Sequence, residues 1–231
     1  MKKNAIKTGC NRGTGEGIRD VLIQSGNFHV TGLNRTKAKD IENSLLYDEL
    51  SVDLNNPIDE SILKDLPKKI DLLVLNAGIR KFGNVGELSM SDWNQSVNIN
   101  LTSLFNTVSL LKERIVESKG DIVIVGSHSE KYSFEGGAAY CSTKLAIKGL
   151  ANCLVDELRY HDVRVSYLSI GSIKNRDHGY DEEWKLEPKD IGKTILGIVE
   201  LPKKVLIPYI DVRPIKPLKD TLSGMERLQY V

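Results

Sequence analysis

Residues 4–18 read Asn-Ala-Ile-Lys-Thr-Gly-Cys-Asn-Arg-Gly-Thr-Gly-Glu-Gly-Ile, and the fold is decided there. A short β-rich run at 4–8 leads into a turn holding Gly9, Gly13 and Gly15, and a helical pattern follows at 18–24. Glycine lets a backbone turn tightly and approach another group closely. The first N–H groups of the following helix have no intrahelical partner, and the positive end of its dipole faces the turn. Such a place suits a phosphate. Three glycines also serve a strand–helix turn for geometry alone, so the reading depends on the sequence around them.

Outward from that turn, β-rich runs at 28–33, 50–53, 71–75, 121–125, 163–168 and 204–209 alternate with helical patterns. Asp71-Leu72-Leu73-Val74-Leu75 and Asp121-Ile122-Val123-Ile124-Val125 are continuous apolar stretches, the mark of strands buried on both faces. The helical patterns lie at 91–117, with Ser91 as the expected N-cap, at 138–160, and after Glu187-Pro188-Lys189-Asp190. Within 138–160, Ile147, Leu150, Ala151, Leu154 and Leu158 form one apolar stripe at three- and four-residue spacing. Strand–helix alternation at this period implies βαβ units. The expectation is one doubly wound α/β domain over 1–231, with a mostly parallel seven-stranded sheet and helices on both faces.

Composition narrows the function classes. Lys plus Arg number 32 against 31 Asp plus Glu, so no bulk charge draws the chain to nucleic acid or an anionic membrane. At 40% hydrophobic and 27% charged residues the sequence is that of a folded soluble protein. It lacks the run of about 18 apolar residues that a membrane span requires. The opening Met1-Lys2-Lys3-Asn4 carries no apolar stretch before a cleavage site, so no secretory signal is expected. Cys10, Cys141 and Cys153 have no metal-type spacing, and no His-x-x-x-His pair occurs. The expectation is a cytoplasmic protein without a catalytic metal.

The second run ends in Leu33-Asn34-Arg35. An acidic residue there would bind the adenosine ribose and favour NAD. Asn34 and Arg35 stand there instead, and the loop adds Arg12. Two guanidinium groups can clamp a 2′-phosphate in bidentate fashion, so NADP(H) is expected over NAD(H). The competing reading makes Arg35 a solvated surface charge.

Tyr140-Cys141-Ser142-Thr143-Lys144 places Tyr140 and Lys144 on one helix face. A phenol of pKa near 10 exchanges protons poorly at neutral pH, and a nearby ammonium lowers that value. The pair can therefore protonate a carbonyl being reduced or deprotonate an alcohol being oxidised. Ser127 closes the Ile-Val-Ile-Val-Gly-Ser run, at the carboxyl end of a central strand, where open α/β sheets bind ligands. Asn76-Ala77-Gly78 ends the preceding strand, and Asn100 lies in the helix between them. An isolated helix Asn of this kind is often only a satisfied buried amide.

Together these segments resemble the short-chain dehydrogenase/reductase family over residues 4 to about 210. The shared elements are Thr-Gly-x-x-x-Gly-x-Gly at 8–15, Asp53, Asn76-Ala77-Gly78, Trp93 leading to Asn100-Leu101, Ser127, and Tyr-x-x-x-Lys at 140–144. The resemblance implies a Rossmann-type oxidoreductase in which Tyr140 is the acid/base and Ser127 holds the substrate oxygen. Lys144 would lower the Tyr140 pKa and bond the nicotinamide ribose, and Asn100 would hold a water in a proton relay. Cofactor contacts are implied at Gly9, Asn11, Arg12, Gly13 and Gly15, at Asn34 and Arg35, and at Asp53 and Leu54 beside the adenine. Asn76, Ala77, Gly78, Gly171 and Ile173 would line the remaining cleft. The family's usual Pro-Gly and following Thr are replaced by Ile170-Gly171 and Asn175. Lys7 stands where an apolar strand residue is expected, and Thr14 where Ile is usual. The helices at 91–117 and 138–160 correspond to the family's subunit interfaces, implying a homodimer or homotetramer.

The segment at about 171–187 follows the strand that would end at the nicotinamide and reads as a lid. With Asp177, His178, Tyr180, Asp181, Glu182, Glu183, Trp184 and Glu187 it is short and polar. His128, Ser129 and Glu130 surround Ser127, and Arg80-Lys81 follows the Asn-Ala-Gly turn. The pocket reads as polar and open, with Arg80 expected to anchor an anionic substrate group. The expected activity is NADP(H)-dependent reduction of a small polar ketone or aldehyde. The alternatives are an NAD-dependent alcohol dehydrogenase and a non-catalytic NADPH sensor, the latter disfavoured by the intact Ser127, Tyr140 and Lys144 set.

Overall fold

The central strands carry apolar side chains on both faces, and that dictates a sheet covered twice. In the computed structural model, which describes residues 2–37, 41, 44–174 and 183–216, Leu73, Leu75, Ile122, Ile124 and Val165 point to one face and Leu72, Val74, Val123, Val125 and Leu168 to the other. The first face is closed by α3 (Ser103–Ser118) and α4 (Ala138–Leu158), through residues such as Leu111, Ile115, Ile147 and Leu154. The second is closed by α1 (Gly13–Gln24) and α5 (Pro188–Val199), through Ile18, Leu22, Ile191 and Ile195. Helices α1 and α5 touch at glycines: a Cβ on Gly17 would lie 2.4 Å from the Pro188 carbonyl carbon.

The seven strands are β1 (Lys3–Thr8), β2 (Phe28–Asn34), β3 (Tyr47–Ser51), β4 (Leu72–Leu75), β5 (Asp121–Val125), β6 (Arg164–Ile170) and β7 (Tyr209–Val212). Their order is β3-β2-β1-β4-β5-β6-β7, and every pairing is parallel. This is a single doubly wound α/β domain. The chain runs outward from β1 in one direction and outward from β4 in the other, so the order reverses between β1 and β4. A crevice opens at their carboxyl ends, the place where open parallel sheets bind ligands.

Several boundaries differ from the sequence reading. Helix α1 begins at Gly13 and not near Ile18, so the last glycines of the turn are helical. The expected strand at 50–53 is β3 at Tyr47–Ser51, because Tyr47 is the residue that buries, packing its hydroxyl over Gly32. Asp53 falls in the turn beyond it and accepts from the Asn55 amide at 3.1 Å. The expected strand at 204–209 is β7, starting after Pro208, since proline offers no N–H to a ladder and 202–205 forms a turn instead. The helix read at 91–117 is divided into α2 (Met90–Val97), a π-helical turn at Asn98–Thr102, and α3. Its N-cap is Ser89, whose hydroxyl accepts from the Asp92 amide at 3.0 Å, and not Ser91.

Candidate active site

The turn after β1 is built to face its amides outward. Gly9 and Gly13 take φ of +67° and +52°, a region that side chains disfavour. A Cβ on Gly15 would lie 1.9 Å from the Gly9 carbonyl oxygen. That oxygen turns inward and accepts from Lys7 Nζ at 2.6 Å and Asn76 Nδ2 at 2.9 Å. The Cys10 carbonyl likewise accepts from the buried Arg19 guanidinium at 3.1 Å. The Cys10 amide donates to Asn34 Oδ1 at 2.6 Å, and Asn34 Nδ2 donates to Glu49 and Tyr47. Asn34 therefore holds the loop from behind: its amide is buried and fully engaged, so the expected cofactor contact does not come from this side chain. The first turn of α1 has no side-chain cap, which leaves its amides available to an anion.

Asn11 Nδ2 donates to the Thr36 carbonyl, tying together the two segments that carry Arg12 and Arg35. Both arginines are exposed there. Val52 is held to the end of β2 by a 2.8 Å bond to the Asn34 carbonyl, with Leu54 buried and Asp53 exposed next to it. Across the crevice, Thr8 Oγ1 accepts from the amides of Asn76 and Ala77 at 3.0 and 3.1 Å, which locks β1 to the end of β4.

Lys7 shows what its departure from apolar character does. The side chain is 0% exposed in an unbroken strand, and its ammonium sits under the loop, against Gly9 O and the Cys10 thiol. Burial lowers its pKa, and the nearby Arg19 charge lowers it further, while Cys10 and Asp20 oppose the shift.

At the end of β5, Ser127 takes an extended conformation, with its hydroxyl 3.2 Å from both the Ser129 hydroxyl and the Ser129 amide. Tyr140 and Lys144 share the inner face of α4 and are both buried. Lys144 Nζ lies 5.6 Å from the Tyr140 ring centre and donates to the Val125 carbonyl at 3.4 Å. The Arg80 guanidinium carbon lies 6.0 Å from the same ring centre. Burial pushes the phenol pKa up, but the charges of Lys144 and Arg80, together with the nearby polar groups of Ser127 and Arg80, outweigh it and leave the phenol below its usual value.

Asn100 sits in the π turn and is 2% exposed. Its amide donates to Ile79 O and Thr143 Oγ1, both at 3.0 Å, and accepts from Ile79 N at 2.7 Å. It thus clasps the segment after Gly78 to α4. Thr143, its partner, was not among the expected site residues; only its place one turn above Tyr140 hints at it.

Two expectations about the pocket lining are corrected. His128 turns away from the pocket to bond Asp211 Oδ1 at 2.7 Å, and its ring closes on Gly171. Glu130 is buried beneath Tyr167, Tyr209 and Lys148, receiving a hydrogen bond from each tyrosine. Both serve to fasten the Ser127 turn onto β6 and β7. Gly171 itself is held by the Val212 carbonyl at 2.9 Å, and Ile173 bridges to Leu186. Asn175, Asp177, His178, Tyr180, Asp181 and Glu182 of the expected lid lie outside the described residues. Among the described residues, no group of three or more His, Cys, Asp and Glu side chains is placed to hold a metal ion.

Residues 3–185 match the sequence profile of the short chain dehydrogenase family. The chain is 31% identical over 182 residues to the 3-oxoacyl-(acyl-carrier-protein) reductase FabG of Buchnera aphidicola subsp. Baizongia pistaciae, covering 75% of this chain and 74% of that one. It is 26% identical over 225 residues to an uncharacterized oxidoreductase of Staphylococcus aureus (strain USA300), covering 92% and 97%. Among solved structures, the closed form of a serine dehydrogenase complexed with NADP+ superposes with a TM-score of 0.81 at 23% identity, covering 95% of this chain and 98% of that one. An alcohol dehydrogenase from the archaeon Thermococcus sibiricus, complexed with 5-hydroxy-NADP, gives a TM-score of 0.81 at 20% identity, covering 96% and 100%.

Proposed function

The chain belongs to the short-chain dehydrogenase family, and on that premise we propose that it reduces a small polar ketone or aldehyde with NADP(H), Tyr140 acting as general acid. The observation that carries this reading is the Tyr140 phenol gathered with Ser127, Lys144 and Arg80 at the carboxyl end of β5. The loop after β1 fits a dinucleotide. Its first helical turn is uncapped, a Cβ at Gly15 would push the Gly9 carbonyl out of its place beneath the loop, and the Asn11 side-chain oxygen is buried without a partner among the described residues.

In this reading Gly9, Gly13 and Gly15 admit the pyrophosphate, and Arg12 and Arg35 hold the 2′-phosphate. Asp53 and Leu54 meet the adenine. Asn76, Ala77, Gly78, Gly171 and Ile173 border the nicotinamide half, with Lys144 on its ribose. The cofactor supplies a hydride for the carbonyl carbon. Tyr140 gives its proton to the carbonyl oxygen as charge develops there, and the Ser127 hydroxyl hydrogen-bonds the same oxygen. Lys144 and Arg80 stabilise the phenolate left behind. Asn100 keeps the segment after Gly78 and α4 at a fixed separation.

The test is Tyr140→Phe. It is expected to cut NADPH-dependent turnover by about 10²–10⁴-fold, the usual contribution of a general acid, while NADPH binding persists. Near-normal turnover would show that another group supplies the proton. The proposal extends to a cytoplasmic homodimer or homotetramer. Phe105 of α3 and Leu145 of α4 stand 56% and 57% exposed on the helices that the family uses for assembly, and the cysteines are unpaired thiols.

A further inference from the structure

We infer that the substrate carries a carboxylate one or two carbons from its reacting carbonyl, and that Arg80 is the residue that binds it. The inference rests on the reductase reading above and makes it specific to 2-oxo and 3-oxo acids.

Arg80 lies on the segment leaving Gly78, at the mouth of the crevice, and is exposed. Its guanidinium carbon lies 6.0 Å from the Tyr140 ring centre, yet among the described residues it forms no ion pair. Its neighbour Lys81, by contrast, is paired with Asp92 at 2.8 Å. The carboxylate nearest in sequence to Ser127, Glu130, is buried and held by Tyr167, Tyr209 and Lys148. Lys144, the second cation beside the phenol, bonds among the described residues a backbone carbonyl, Val125 O. The reacting centre thus presents two cations within reach of one phenol, and the described carboxylates around it are committed elsewhere. An anionic substrate group can pair with Arg80, which a neutral substrate cannot.

Geometry then limits the anion. A guanidinium has five N–H donors in a planar fork, so one edge can serve the phenol while another takes a carboxylate in bidentate fashion. A carbonyl oxygen must sit about 3 Å from the phenol oxygen to receive its proton, and a carboxylate about 3 Å from the same guanidinium. With the guanidinium carbon 6.0 Å from the ring centre, two groups held by that fork and by the phenol are joined by no more than a short link. A carboxylate attached to the carbonyl carbon, or to the next carbon, spans it. Phe82, 48% exposed, packs edge-on against Tyr140 at 6.0 Å and against Phe134 at 5.5 Å, and gives the rest of a small substrate an apolar wall. The reaction balances as C=O plus a hydride and a proton giving CH–OH; the carboxylate is unchanged and serves only to position.

The test is steady-state reduction with NADPH of acetoacetate and 2-oxobutanoate, of their methyl esters, and of 5-oxohexanoate, whose carboxylate lies too far away. The two short acids are expected to exceed their esters at least tenfold in kcat/KM, and 5-oxohexanoate to fall with the esters. Arg80→Gln is expected to remove that preference, mainly through KM for the acids, and Arg80→Lys to restore part of it. Turnover of the esters equal to or above that of the acids, or an acid preference that survives in Arg80→Gln, overturns the assignment while the reductase reading stands. An absence of NADPH-dependent turnover with all five compounds, in protein that binds NADPH, overturns the proposal together with the substrate class from which it starts.

Discussion

Lys7 and Tyr140 show how much one residue's surroundings decide. Lys7 is buried in a strand that its neighbours Ala5 and Ile6 would build without it. Its folded-state pKa is lowered, chiefly by burial, so between the folded and unfolded values the unfolded chain holds a proton that the folded chain lacks. Stability contributed by this site therefore rises with pH through that window. Lys7→Met is expected to stabilise the protein at neutral pH, by roughly 1–4 kcal/mol as for other buried ionic groups replaced by apolar ones. The advantage should shrink as pH rises toward 10, which denaturant unfolding at several pH values measures. For Tyr140, reduction needs the protonated phenol, so the rate is expected to fall as pH rises through a value below the ordinary phenol pKa. Arg80→Gln removes one of the two charges opposing burial. It should therefore move that alkaline limb upward, in a pH profile of kcat/KM. Spacing along the sequence suffices to bring Tyr140 and Lys144 onto one helix face and Ser127 to the end of β5. Thr143 and Asp211 are not legible in this way: each acts through a partner far away in sequence, at Asn100 and His128, and Arg19 folds back nine residues onto the Cys10 carbonyl. His128 and Glu130 were misread as pocket lining for the same reason, since adjacency to Ser127 does not tell which way a side chain turns.

At the scale of elements, the strand–turn–helix at 3–24 is the least tolerant part of the site. A methyl group at Gly15 would collide with the Gly9 carbonyl, which Lys7 and Asn76 already hold in place. Gly15→Ala is expected to weaken NADPH and NADH alike by at least about tenfold, or 1.4 kcal/mol, in a binding titration, with far-UV circular dichroism unchanged. The existence of each strand and helix could be read from apolar runs and periodicity. Their ends could not always be. The π turn at Asn98–Thr102 inserts into a helix without disturbing its apolar pattern, so 91–117 read as continuous. Ser89 and Asp92 form the capping pair, and Met90, lying between Ser89 and Ser91, places either serine next to an apolar residue. Strand β7 was displaced because 204–209 is apolar enough for a strand, while Pro208 bars its register with β6.

Across the whole molecule, the order reversal between β1 and β4 opens the crevice, and the sheet's far end must stay closed for the crevice to keep its shape. There Asp121 at the start of β5 binds Arg164 at the start of β6, with distances of 2.6 and 3.0 Å. Arg164 also collects the carbonyls of Val199, Leu201, Pro202 and Val205. Removing one partner strands a buried charge. Asp121→Ala is expected to cost about 3–5 kcal/mol in unfolding free energy, and Arg164→Met combined with it to cost less than the sum of the two single changes.

In the proposed NADP(H) site Arg12 and Arg35 hold the 2′-phosphate, and parallel fluorescence titrations of the purified protein with NADPH and NADH read that preference. NADPH is expected to bind at least about tenfold more tightly than NADH, a difference of 1.4 kcal/mol, and Arg12→Ala with Arg35→Ala is expected to erase the difference. A folded protein that prefers NADH, or that binds neither cofactor, would contradict that proposal.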